Sequence, residues 1–187
     1  MPDDDWNDEV VANVLGYFAE RVNLVFSYFY CTFEFETDED FAANPAKNGR
    51  AWALQTIRTA CLHSTLIALR DLDDVLTPRT QKSKDDDLKV SDFGYPSGHS
   101  FLGRSERTRI NKMIAHATLP GSKLPAARWA IWALASKGIH QSLSFLKWAE
   151  ENLDWSTALF CGTRIQKTYD YFAKIIEERR KRSGRAR

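Results

Sequence analysis

The chain has 187 residues, 43% hydrophobic and 12% aromatic, which is globular composition and excludes a disordered polypeptide. Net charge is only +1, but six of the 26 Lys and Arg residues fall in 179–187 with no acid, leaving 20 bases against 25 acids in 1–178. The expectation is one domain over 1–178 and a basic C-terminal tail over 179–187, which suits either nucleic-acid phosphates or a solvated terminus.

No apolar run reaches the roughly 18 residues needed to span a bilayer. The acidic start Met1-Pro2-Asp3-Asp4-Asp5 does not read as a signal peptide. A cytoplasmic protein with no membrane partner is therefore expected. The three cysteines, Cys31, Cys61 and Cys161, are odd in number, far apart and set in apolar helical patterns. They read as reduced, buried thiols. No Cys or His pair has metal-ligand spacing, so no metal and no other cofactor is expected.

In chain order, Asp3 to Asp5 can cap a helix over about 6–33, with Val11, Val14, Leu15, Phe18, Val22, Val25, Phe26 and Phe29 as its apolar stripe. Residues 34–49 are acidic and then carry Asn44-Pro45 and Asn48-Gly49, which read as a loop; Asn44-Pro45 would also serve as N-cap and first residue of the next helix. That helix covers about 50–76, with Trp52, Ile57, Cys61, Leu62, Leu66, Leu69 and Leu76 on its apolar side, and Thr77-Pro78 stops it. A long polar loop, 77–99, follows; a loop of that length in a compact domain is usually functional or disordered. A third helix begins between Ser100 and Ser105 and is broken by Leu119-Pro120-Gly121. A fourth runs over about 126–152, weakened near Gly138. Asp154 or Ser156 caps a fifth, ending near Arg180, with Ile165, Tyr169, Phe172 and Ile176 inward. No strand-like alternation competes, so the fold class is all-α, an antiparallel bundle of about five helices.

The third helix carries the most chemistry. Ile110, Met113, Ile114 and Ala117 recur at i, i+3, i+4 and i+7, the mark of an amphipathic helix. Arg109 and His116, seven apart, project within about 20° of each other, and Lys112 lies close to the same line. A row of guanidinium, amine and imidazole suits a site that holds phosphate and moves protons; the alternative for His116 is a cation at a helix C-terminus. A second Arg/His pair, Arg58 and His63, diverges by about 140° around its helix and reads as structural.

Asn111-Lys112-Met113-Ile114-Ala115-His116 resembles the Asn-Lys-x-x-Ala-His that ends the signature helix of HEPN-domain proteins, most closely the abortive-infection U-type group. The likeness reaches back through Trp52, Ile57-Arg58 and Leu66 to Asp74, and covers about residues 50–119. One departure is Ile110, which stands where the family usually places its arginine; Arg109 is one residue earlier, and Lys112 or Arg107 could share its role. The resemblance implies an HEPN-like fold and a metal-independent endoribonuclease of toxin or defence type. In it His116 acts as general base or acid on a ribose 2′-OH. Arg109 holds the scissile phosphate, while Asn111, Lys112 and Arg107 bind substrate. It also implies a homodimer with facing signature helices, RNA as substrate, and an antitoxin or defence protein as a further partner. The reading from another class is a catalytically silent HEPN-like module that binds nucleotide, RNA or protein.

Two other features compete. Pro96-Ser97-Gly98-His99 resembles the central motif of type-2 phosphatidic acid phosphatases, but that family's flanking Lys/Arg and Ser-Arg…His…Asp motifs and its membrane helices are missing, and Pro-Ser-Gly is ordinary turn chemistry. Asp71, Asp73 and Asp74 are open to three readings: a metal site, ion pairs to the Arg/Lys row of the neighbouring helix, or a solvated helix end.

Overall fold

The computed structural model describes residues 8–35, 48–80, 88–115, 130–153 and 156–185. Its elements are α1 (Asp8–Glu34), α2 (Gly49–Leu76), a short 3-10 helix (Val90–Phe93), α3 (Arg104–Ala115), α4 (Ile131–Leu153) and α5 (Ser156–Arg185). Among the described residues there is no strand, and the fold is an all-α bundle of five α-helices. No helix of these residues is long and apolar enough to cross a membrane.

The expected stripe of α1 is the stripe that packs. Leu15, Phe18, Val22, Val25, Phe26 and Phe29 are buried against Leu66, Leu69, Leu72 and Leu76 of α2, Leu134, Ile139, Phe145 and Leu146 of α4, and Ile165 and Phe172 of α5. α1 and α2 run antiparallel, as the Arg21–Asp71 ion pair (3.4 Å) and the Ser27–Thr65 contact (3.3 Å) require. Rings join α1 to the C-terminal helices: Phe26 stacks on Phe172 at 5.3 Å, Phe29 meets Trp132 edge-on at 5.3 Å, and Trp132 stacks on Tyr169 at 5.3 Å.

Four expectations change. Trp52 and Ile57, expected on the apolar side of α2, are 62% and 45% exposed; the inward line at that end runs through Ala51 and Leu54 instead. The cap of α2 is Asn48, whose side chain accepts from the Arg50 and Ala51 amides (2.9 and 3.2 Å); Asn44 and Pro45 lie outside the described residues. α4 passes through Gly138 without a break, because the glycine is a contact point rather than a weak point: a Cβ there would lie 3.0 Å from the Phe101 ring and 3.2 Å from Leu69. α5 continues to Arg185. Past Phe172 and Ile176 its inner line is taken over by Arg179, whose guanidinium lies 4.1 Å from the centre of the Phe33 ring.

Candidate functional site on the third helix

α3 is polar at eight of its twelve positions, and its sequence supplies its own start. Glu106 turns back to accept the Gly103 amide at 2.7 Å, and the Arg107 amide donates to the Gly103 carbonyl at 2.9 Å. A glutamate at that position also suits the positive end of the helix. Ile110 is fully buried and plugs α3 into the core.

What holds α3 in place is Asp73. Its side chain is fully buried, and four groups donate to it. Two are the Phe101 and Leu102 amides, at 2.7 and 2.9 Å. The others are the Ser100 hydroxyl at 3.0 Å and the Arg107 guanidinium. Arg107 also reaches Asp74 at 2.6 Å. Burial works against the charge on Arg107, but the two carboxylates outweigh it and raise its affinity for the proton. A buried carboxylate is tolerable only with this many donors. The outcome selects among the three readings of the aspartate cluster: Asp73 and Asp74 pair with the neighbouring helix, and Asp71 pairs with Arg21 at 3.4 Å. Among the described residues no group of three or more His, Cys, Asp or Glu side chains is placed to hold a metal ion.

The loop before α3 is correspondingly built. Its 88–103 half carries the 3-10 helix, with the Lys89 amine donating to the Asp74 carbonyl at 2.8 Å. Arg79 donates to Asp92 at 2.8 and 3.0 Å, and these bonds hold the Asp92 carboxyl below the usual range. Pro96-Ser97-Gly98-His99 is part of this packing. A Cβ on Gly98 would sit 2.7 Å from the Leu76 carbonyl oxygen and 2.9 Å from Val90, so only glycine lets the loop cross the end of α2. His99 contacts the Ser97 carbonyl (3.0 Å) and the Gln141 side chain. Residues 81–87 lie outside the described residues.

The expected site residues divide into three groups. Arg109, Asn111 and Lys112 are exposed on α3. Arg109 and Lys112 lie about 60° apart around the axis, whereas Arg109 and Asn111 flank the buried Ile110 and lie about 160° apart. One copy of α3 therefore brings Arg109 and Lys112 together and sets Asn111 on the other flank. Arg107, expected to bind substrate, has its guanidinium on Asp73 and Asp74. His116 lies outside the described residues. Arg58 donates to the Tyr28 hydroxyl at 3.2 Å, toward α1, consistent with its divergence from the half-buried His63.

The basic end of the chain borders a groove of about 940 Å³ whose lining includes Tyr28, Phe33, Trp132, Arg179 and Arg182. Among functional residues, Asp73 is the one that composition and spacing did not single out from its neighbours. Its signal was present: Leu69, Leu72, Asp73 and Leu76 fall at i, i+3, i+4 and i+7, so an acid occupies a core position of α2.

No family model matches this sequence, and no curated protein and no solved structure matches it.

Proposed function

We propose that this protein is a metal-independent endoribonuclease of the HEPN type, with Arg109 of its third helix and His116 as the catalytic pair. The observation that carries the reading is that α3 is clamped to α2 by the Asp73–Arg107 contact and plugged by Ile110 while Arg109 and Lys112 point outward. A rigid helix with outward cations is a suitable base for a phosphate site. In the proposed reaction His116 takes the proton of a ribose 2′-OH, and the oxygen attacks the neighbouring phosphorus. The P–O5′ bond breaks, the departing oxygen is protonated, and a 2′,3′-cyclic phosphate remains. Arg109 holds the phosphate and offsets the charge gathering on its oxygens, with Lys112 beside it. Two protomers would face their third helices across a common cleft, and that pairing would bring the Asn111 flank of one toward the Arg109 flank of the other. A defence or antitoxin protein as regulator belongs to the same proposal.

A second reading, a binding module without catalysis, is favoured by two particular observations. Ile110 is wholly buried at the position where the family has its arginine, and Arg107 is committed to Asp73 and Asp74.

The test is cleavage of labelled single-stranded RNA in EDTA by the full chain and its variants. His116→Ala is expected to lose 10²–10⁴-fold in rate, the span of a general acid or base. Arg109→Ala should lose a comparable factor, and Arg109→Lys should recover part of it, because lysine lacks the bidentate fork. His63→Ala should leave the rate per folded molecule unchanged. Equal cleavage by His116→Ala sinks the mechanism, and no cleavage by the wild type, with RNA still bound, makes the binding module the better reading.

A further inference from the structure

The seam between α1 and α2 holds two thiols that neither reading of the function uses. The register of the antiparallel pair is set by small polar residues. Ser27 Oγ donates to the Leu24 carbonyl at 2.7 Å and lies 3.3 Å from both the Thr65 hydroxyl and the Cys61 carbonyl oxygen. Thr65 Oγ1 donates in return to the Leu24 carbonyl at 3.0 Å and sits 3.4 Å from that of Val25. Side chain meets backbone in both directions, so the two helices approach closely. One turn beyond Ser27 on α1 is Cys31. One turn before Thr65 on α2 is Cys61. Antiparallel register, fixed by the Ser27 and Thr65 contacts, therefore sets these two cysteines opposite each other. Both are free thiols. Helix axes about 9–10 Å apart, with Cα atoms about 2.3 Å off each axis, leave facing Cα atoms about 4.4–5.4 Å apart, within the roughly 4.4–6.8 Å that a disulfide spans.

We propose that Cys31 and Cys61 form a site of reversible oxidation, at which a hydroperoxide closes a disulfide that staples α1 to α2. The inference rests on the seam alone and does not depend on the proposed ribonuclease activity.

The two thiols differ in a way that orders the steps. Cys31 is 4% exposed, whereas Cys61 is half-buried and nearer to solvent. Burial and the neighbouring Cys61 push the Cys31 thiol up to about 11. The outer thiol reacts first: Cys61 takes one oxygen from the hydroperoxide to become a sulfenic acid, and the hydroperoxide leaves as an alcohol, or as water when it is hydrogen peroxide. The Cys31 sulfur then attacks the Cys61 sulfur. The S–S bond forms, the S–OH bond breaks, and hydroxide departs with the Cys31 proton as water. A dithiol reductant reverses the reaction by exchange. Cys161, on α5, takes no part.

The experiment treats the full-length protein with a small excess of hydrogen peroxide and follows it by thiol titration in denaturant, peptide mapping and non-reducing electrophoresis. The expected result is a fall from three titratable thiols to one, a Cys31–Cys61 peptide lighter by two hydrogens, monomeric mobility, and full return with dithiothreitol. Thermal unfolding of the oxidised form should shift upward by on the order of 10 °C, since the bond constrains a loop of about thirty residues in the unfolded chain. Cys161→Ser should form the same bond, and Cys31→Ala should stop at a sulfenic acid on Cys61 that dimedone traps. Should Cys31→Ala fail to fold, the wild-type peptide map decides alone. Peroxide that yields Cys61 sulfinic acid with Cys31 still free, or that links chains to one another through any cysteine, overturns the proposal.

Discussion

Replacing Asp73 by alanine should be among the most damaging single changes to the fold. The carboxylate is fully buried and satisfies the Phe101 and Leu102 amides, the Ser100 hydroxyl and the Arg107 guanidinium. Its removal leaves two backbone N–H groups without an acceptor at about 1–3 kcal/mol each. Arg107 is less affected, because it is one-third exposed and keeps Asp74. The sum is about 4 kcal/mol, inside the 3–5 kcal/mol seen when one member of a buried ionic pair is deleted. For a domain of this size that lowers Tm by about 8–16 °C. Asp73→Asn keeps an acceptor for the two amides but sets an NH2 group against the guanidinium, so it should cost about half as much. Arg107→Met leaves the carboxylate with three donors and should cost least. Urea unfolding followed by circular dichroism measures all three, with heat unfolding as a check. If Asp73→Ala falls within about 1 kcal/mol of wild type, or if Arg107→Met proves more harmful than Asp73→Ala, the anchor has been misjudged.

Two glycines should respond in opposite directions. Gly98→Ala drives a methyl into the Leu76 carbonyl and should cost about 1–3 kcal/mol, whereas Gly16→Ala, with nothing within 4 Å, should add up to about 1 kcal/mol in the same urea assay. The Asp92–Arg79 clasp predicts an acid response. Because the folded carboxyl titrates below its unfolded value, its contribution is complete above about pH 4 and is lost as pH falls through the folded value. Wild type should therefore lose more stability on acidification than Asp92→Asn, and equal losses would remove the clasp from the account. Cys31, held at about 11, carries roughly a hundredfold less thiolate at pH 8 than a thiol at 9.0. Its alkylation in the native state should be slow and should quicken as pH rises.

The helices were legible because each must bury a stripe. Phe18, Val22 and Phe29 announce α1 by spacing, and the structure buries them. What escaped was where polarity or small size serves packing. Asp73 looks like one of three surface acids until the amides of residues 101 and 102 are seen to need it. Gly138 looks like a weak point, yet it is where Phe101 and Leu69 enter. Those partners are distant in sequence, and spacing along one helix carries no information about them. The same limit holds for the candidate site. The amphipathic pattern places Arg109 and Lys112 on an outer line and Ile110 inside, as the structure does, but it could not reveal that Arg107 is held by two carboxylates more than thirty residues upstream.

The rings joining α1 to α4 and α5 bear on the order in which the chain can fold. Phe26 and Phe29 find Phe172 and Trp132 across more than a hundred residues, while the polar seam of α1 with α2 closes over about forty. Local contacts form before distant ones, because closing a long loop costs more entropy. On a ribosome, α1 and α2 can therefore pair along Ser27 and Thr65 while the other flank of α1 still shows its phenylalanines to solvent. That flank remains sticky until α5 emerges with Phe172, so completion of α5 is what ends this flank's exposure to aggregation.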